Sequence, residues 1–156
     1  KVIKKNSFGA PFYLMTQFNH SLEITEKAES VINNFIKLGI PIMNQTVLLR
    51  GVNDSVEVQT ELSNKLLSLR VKPYYLFQGD LVQGTAHLRV PLSKGLEIEK
   101  GMRESLSGLG LPQYTIDLPQ GGGKVPVESR YNKGMKDGVW TFSTIDGEER
   151  HYPEDV

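Results

Sequence analysis

The 156-residue sequence contains no cysteine. That absence excludes a disulfide scaffold, thiolate-held zinc, a cysteine-ligated iron–sulfur cluster and a catalytic thiol on this chain. Histidine is scarce as well: His20, His87 and His151 lie far apart and form no helix-spaced metal pair. Neither sign of charge prevails, since 18 Lys plus Arg balance 18 Asp plus Glu. A neutral balance gives no electrostatic basis for nucleic acid or an anionic membrane as the main partner. No apolar run approaches the roughly 20 residues that a bilayer-spanning helix needs. Residues 1–30 hold no continuous apolar stretch of the kind a signal peptide carries. The expectation is a cytoplasmic protein that acts on a small molecule. The sequence starts on Lys1 in mid-phrase and reads as a piece of a longer protein.

What is present suffices for a packed domain, with 38% apolar and 23% charged residues. The first two thirds alternate strand-like and helix-like patterns. FYLMTQF (12–18), short and aromatic, predicts a strand ending near Asn19. Thr25 suits a helix N-cap, with Ala28, Val31, Ile32, Phe35 and Leu38 at helical spacing before Gly39. IPIMNQTVLL (40–49) predicts a second strand that turns at 50–53. Asp54 and Glu57 then have capping-box spacing ahead of the apolar stripe Val58, Leu62, Leu66 and Leu69. KPYYLF (72–77) predicts a third strand, followed by a loop over 78–90, a helix over 96–106 and a fourth strand over 113–117.

Strand and helix in this alternation imply an α/β fold of parallel β/α units, either an open sheet or part of a TIM-like barrel. In both architectures the functional edge is the carboxyl end of the strands. Polar residues gather there: Asn19 and His20, Asn44 and Gln45, Asp80, and Asp117 with Lys124. The last 26 residues, 131–156, differ from residues 1–130. Turn signals at Asp137–Gly138 and Asp146–Gly147 flank the apolar run 139–142, predicting a β-hairpin extension that covers the sheet or meets a partner chain. A homo-oligomer is the corresponding expectation.

The run IDLPQGGGKVPVESR (116–130) sets three glycines directly before a lysine. A P-loop would need a first glycine where Leu118 stands and a hydroxyl residue where Val125 stands, so that reading fails at two fixed positions. Gly121, Gly122 and Gly123 instead allow backbone N–H groups to approach a ligand closely, and Lys124 can serve as a Schiff-base amine. Pyridoxal phosphate suits both features; an exposed hinge with an incidental lysine is the plain alternative. Asp80 and Asp117 both follow strands and should share a rim with Lys124. Two carboxylates in one cleft repel each other and favour a cation, of which a primary ammonium is a natural example. Taken singly, each aspartate is better explained as a cap on a neighbouring turn, the commoner fate of a strand-end aspartate.

The ordered series TQFNH (16–20), NQTVLLRGVND (44–54), KPYYLFQGDLVQGTAHLRVPLSKGLEI (72–98) and IDLPQGGGKVPV (116–127) closely resembles the lysine 2,3-aminomutase family. These are radical S-adenosylmethionine enzymes that also use pyridoxal phosphate. The resemblance implies that Lys124 forms the Schiff base with pyridoxal phosphate, and that Asp80 and Asp117 hold the side-chain ammonium of L-lysine. It places Gln45 near S-adenosylmethionine and substrate. Glutamate-acting relatives lack the acidic pair. The implied reaction moves the α-amino group of L-lysine to the β-carbon, by way of a radical generated at a [4Fe-4S] cluster. One branch of the family instead makes β-lysine for attachment to translation elongation factor P.

The sequence departs from the family pattern in several places. The CxxxCxxC cluster motif and the arginine for the substrate carboxylate are absent and belong upstream, so the chain matches the C-terminal portion of a (β/α) barrel. Gln17 stands where relatives carry histidine, Gly79 where many carry cysteine, and Gln120 where a four-glycine run begins. Two other functions compete with an aminomutase part: a non-catalytic cofactor- or anion-binding module, and an oligomerisation segment.

Overall fold

A computed structural model describes residues 10–118, 123–127, 132–143 and 147–153. Its principal sheet has five strands in the order β1 (Leu14–Thr16), β2 (Ile42–Val47), β3 (Val71–Phe77), β4 (Gln113–Leu118) and β5 (Gly123–Pro126). The first four run parallel, and β5 returns antiparallel beside β4. Three helices make the crossovers: α1 (Glu26–Ile36), α2 (Val56–Ser68) and α3 (Leu92–Ser105). The α/β reading therefore holds. The glycine–lysine run, read as a loop, instead ends in the edge strand β5.

Alternation explains which face the helices cover. In β2 and the residue after it, Ile42, Asn44, Thr46 and Leu48 are buried, whereas Met43, Gln45 and Val47 are only half-buried. Ile42 and Val71 pack with Ile32 of α1 and with Leu62 and Leu66 of α2. Leu48 and Leu76 pack with Ile98 and Met102 of α3 and with Tyr114 of β4. At Gly95 of α3 a Cβ would overlap the Tyr114 hydroxyl and lie 2.6 Å from its ring carbon Cζ, so only glycine lets helix and sheet approach this closely.

β3 changes parity midway. Val71 and Pro73 are buried in its first half, Leu76 in its second and Gln78 just beyond its end. The shift is a β-bulge: Asn44 pairs with Pro73 but Gln45 pairs with Tyr75, leaving Tyr74 as the extra residue. Pro73 has no N–H to give to the ladder, and a bulge is where a central strand tolerates that. The consequence is local: Tyr75 and Phe77 turn to the open face, with ring centroids 5.1 Å apart.

The helix boundaries refine the expectations. Thr25 caps α1, accepting from the Ala28 N–H at 3.4 Å. The cap of α2 is Ser55, which accepts from the Val58 N–H at 3.3 Å, and not Asp54. Ser55 is the residue with extended backbone directly before the first helical residue, and its hydroxyl is the one that reaches a first-turn N–H. α3 starts a turn earlier than its apolar pattern suggested, at Leu92 behind Pro91, because the first turn is exposed. The tail forms three antiparallel strands, β6 (Asn132–Lys136), β7 (Val139–Ser143) and β8 (Glu149–Pro153), one more than a hairpin.

Side-chain amides close the carboxyl ends of β1 and β2. Asn53, fully buried, donates to the Asn19 and Val47 carbonyls (2.8 and 2.9 Å) and accepts from the Leu49 N–H at 2.7 Å. Replacing it with alanine strips partners from three part-buried backbone groups at once. Asn53→Ala is therefore expected to destabilise the chain by about 3 kcal/mol. A urea titration followed by circular dichroism measures the loss; a change below about 1 kcal/mol would show that water replaces the amide.

Candidate functional site

The carboxyl ends of the parallel strands converge on one cavity of about 240 Å³. Gln17 follows β1, Gln45 and Val47 come from β2, Phe77 ends β3, Asp80 sits three residues beyond it, and Asp117 and Lys124 come from β4 and β5. The structure thus brings Gln45, Asp80, Asp117 and Lys124 to a single opening on the face away from the helices. Gly123 precedes Lys124 with a positive φ of 78°, a conformation that favours glycine. Gly121 and Gly122 lie outside the described residues.

Asp117 and Lys124 stand directly opposite in the β4–β5 ladder. The Lys124 Nζ donates to both carboxylate oxygens, at 3.0 and 2.8 Å, and lies 4.9 Å from the centroid of the Phe77 ring. A carboxylate on one side and an aromatic face on the other form a cradle for an alkylammonium. The pair is half-exposed, so its contribution to stability is small. Its interest lies in what it binds.

Gln45 reaches the cavity because it alternates with the buried Asn44. That neighbour is wholly structural: its Oδ1 accepts from the Phe18 N–H (2.8 Å) and the Thr16 hydroxyl (3.0 Å), and its amide nitrogen donates to the Phe18 carbonyl (3.0 Å). Asn19 likewise spends its Oδ1 on the Val47 N–H at 2.8 Å, and His20 accepts from the Leu22 N–H at 3.1 Å as a turn cap. Asn19 and Asn44 therefore belong to the scaffold and Gln45 to the cavity.

Gln78 was not singled out by its sequence position, yet it lines the cavity and anchors its floor. Its Nε2 donates to the Val90 carbonyl (2.7 Å), and its Oε1 accepts from the Tyr114 hydroxyl (2.6 Å). Its place right after an apolar strand was the available signal. Burial pushes the Tyr114 phenol up to about 12. Asp80 also borders a second, mostly apolar cavity of about 170 Å³, with Val47, Leu49, Val82 and Leu88. Among the described residues, no group of three His, Cys, Asp or Glu side chains can hold a metal ion, and no helix is long and apolar enough to cross a membrane.

The Tyr114 shift gives a sign-defined prediction. A phenol whose folded pKa lies above its ordinary value of 10 stabilises the fold fully below pH 10 and progressively less as pH rises through about 12. Wild-type melting temperature should fall over that interval, and Tyr114→Phe should remove much of the fall. The variant should also lose about 1 kcal/mol at neutral pH, because Gln78 loses its donor. Parallel alkaline melting curves for the two proteins would refute this.

No family model matches the chain. The L-lysine 2,3-aminomutase of Clostridium subterminale is 50% identical over 121 residues, covering 78% of this chain and 29% of that protein. The L-lysine 2,3-aminomutase of Bacillus subtilis (strain 168) is 39% identical over 144 residues, covering 92% of this chain and 31% of that protein. The glutamate 2,3-aminomutase of Clostridioides difficile (strain 630) is 41% identical over 121 residues, covering 78% and 29%. The chain spans about a third of the length of these relatives. With its ordered motifs and this similarity along most of its length, the chain belongs to the lysine 2,3-aminomutase family.

Proposed function

We propose that this chain is the C-terminal portion of a radical S-adenosylmethionine (β/α) barrel that converts L-lysine to β-lysine, and that Lys124, Asp117 and Asp80 form its cofactor and substrate site. Residues 1–130 are the barrel portion on this reading, and residues 131–156 a separate extension. The sequential strand order β1-β2-β3-β4, without the reversal of a doubly wound sheet, supports a barrel segment. The iron–sulfur cluster and the arginine for the substrate carboxylate are assigned to the part of the relatives' length that this chain does not span.

Identity alone does not choose between lysine and glutamate, since the lysine relative of Bacillus subtilis is 39% identical and the glutamate relative 41%. The observation that carries the lysine reading is the cradle. Asp117 already holds a primary alkylammonium, that of Lys124, against the Phe77 ring. The side chain of L-lysine ends in the same group, and Asp80 borders the same cavity as a second carboxylate. An anionic side chain would meet two like charges.

The residues present fit the amine-capturing end of pyridoxal phosphate: an accessible lysine amine on a cavity rim, next to an aromatic ring. When bound, that cofactor supplies a conjugated ring able to delocalise an unpaired electron beside the migrating nitrogen. The chain's own residues do the rest. Asp117 and Asp80 fix the far end of the substrate, which sets where its α- and β-carbons lie. Gln45 lines the cavity between them and the neighbouring strand β1. An ammonium has no lone pair, so the Lys124 Nζ must lose a proton and leave Asp117 before it can act as a nucleophile. That proton passes to solvent, which reaches the half-exposed pair, and the substrate ammonium takes the place of the Lys124 ammonium at Asp117.

Treating the chain with pyridoxal phosphate and then borohydride, followed by peptide mapping, should label Lys124 preferentially. Labelling spread evenly over the other lysines would remove the special role assigned to it. In the longer protein, Asp80→Ala and Asp117→Ala should each lower kcat/KM for L-lysine by about tenfold or more, the scale of a lost charge-assisted hydrogen bond. An unaltered lysine preference in both variants would eliminate the ammonium clamp.

A further inference from the structure

We propose that Arg89 is the positioning residue for Asp80, acting through the backbone; the inference rests on the lysine reading above. Asp80 lies beyond the last hydrogen bond that ties its strand to the sheet, from the Gln78 N–H to the Thr115 carbonyl at 2.8 Å. Residues 79–82 have no regular secondary structure. Nothing in the local chain geometry therefore fixes the direction of the Asp80 carboxylate.

Arg89 supplies what is missing. Its Nε and Nη2 both donate to the Asp80 carbonyl, at 3.3 and 3.0 Å. Among the described residues these are the hydrogen bonds that tie 79–81 to the rest of the loop. Two donors from one planar guanidinium converge on that single oxygen and restrain the 80–81 peptide, and with it the position of the Asp80 Cα from which the carboxylate projects. The other end of Arg89 is itself anchored. Its backbone forms a β-bridge with Leu49, and the Arg50 N–H donates to the Leu88 carbonyl at 2.8 Å. The neighbouring Val90 carbonyl is held by Gln78. Arg89 thus transmits the position of the β2 end, where Val47 lines the site, to the carboxylate across the cavity.

The cation also lies on the correct side to do this without neutralising the site. It binds the Asp80 backbone oxygen, so the carboxylate stays available for an incoming ammonium. Lysine at position 89 would keep the charge but offer a point donor in place of a fork. Methionine would keep most of the apolar stem and remove both donors.

The test is a calorimetric titration of the longer protein with L-lysine and with L-norleucine, whose side chain lacks the ammonium. The comparison uses wild type, Asp80→Ala, Arg89→Met, Arg89→Lys and the Asp80→Ala/Arg89→Met double variant. Arg89→Met should weaken lysine binding about fivefold and leave norleucine binding unchanged, the scale of one mis-aimed charge-assisted contact. Arg89→Lys should recover part of that loss, and the double variant should bind no more weakly than Asp80→Ala alone. Amide exchange at residues 79–81 should quicken in Arg89→Met and not in Asp80→Ala, which separates positioning from a general loss of fold. If Arg89→Met keeps the lysine preference while Asp80→Ala loses it, the positioning role is overturned and the lysine reading stands. If wild type and Asp80→Ala do not distinguish lysine from norleucine, the ammonium clamp itself fails and the inference falls with it.

Discussion

Three asparagine amides hold the carboxyl end of this sheet together, and the site depends on them. A parallel strand that ends must release its N–H and C=O groups into a loop, and buried groups without partners are costly. Asn44 solves this for the exit of β1, and Asn19 with Asn53 solves it for the exit of β2. An amide suits the task because it carries donors and an acceptor at one end of a short chain. Gln59 of α2 extends the network by donating to the Asn53 carbonyl at 2.9 Å, which couples helix and strand end. Gln17 sits between Thr16 and Phe18, both bonded to Asn44. Val47 and Leu49 are both bonded to Asn53. Gln17 and Val47, on the β1 and β2 side of the cavity, thus stand on backbone that the amides fix.

A second constraint comes from Pro73. A proline in a central strand removes one ladder donor, and the bulge at Tyr74 absorbs that loss. The bulge also flips the face on which all later residues of β3 project. Without it, Phe77 would point into the helix layer, away from Lys124. With it, Gln78 reaches both Val90 and Tyr114 from the helix side, while the Phe77 ring lies beneath the Lys124 ammonium. One extra residue therefore connects a strand defect to the chemistry of the rim.

How much of this was legible follows from the physics of each signal. Strands and helices with strong period, such as β2 and α2, could be placed because their apolar faces repeat. Asp80 and Asp117 could be paired because the ends of parallel strands share a rim, an argument that needs only topology. The cap of α2 was misassigned by one residue, since Asp54 and Ser55 are both competent and sequence does not show which N–H is free. β5 was hidden because a glycine run has no side-chain period to read. The β3 bulge was hidden because a parity change over seven residues resembles ordinary irregularity. Gln78 and Arg89 escaped notice for a deeper reason. Each acts on a backbone carbonyl through a contact nine or more positions away, and no pattern of residue types encodes such a contact.

The charge arrangement of the rim bears on selectivity beyond any single contact. With Lys124 protonated, the cavity holds two carboxylates and one ammonium, an excess of one negative charge. On the proposed reading, committing the Lys124 nitrogen to the cofactor withdraws it from Asp117. Two carboxylates then face one vacancy of ammonium size, backed by the Phe77 ring. The attraction for a cationic side chain is therefore strongest once the reactive amine is engaged. A glutamate side chain is repelled in both states, and a neutral one gains nothing from either. On that same reading, selection for lysine follows from the order in which one ammonium replaces another at Asp117, with Asp80 present throughout as the second charge. Since both carboxylates are reached by solvent, the discrimination should come from the paired placement of the two charges more than from either alone.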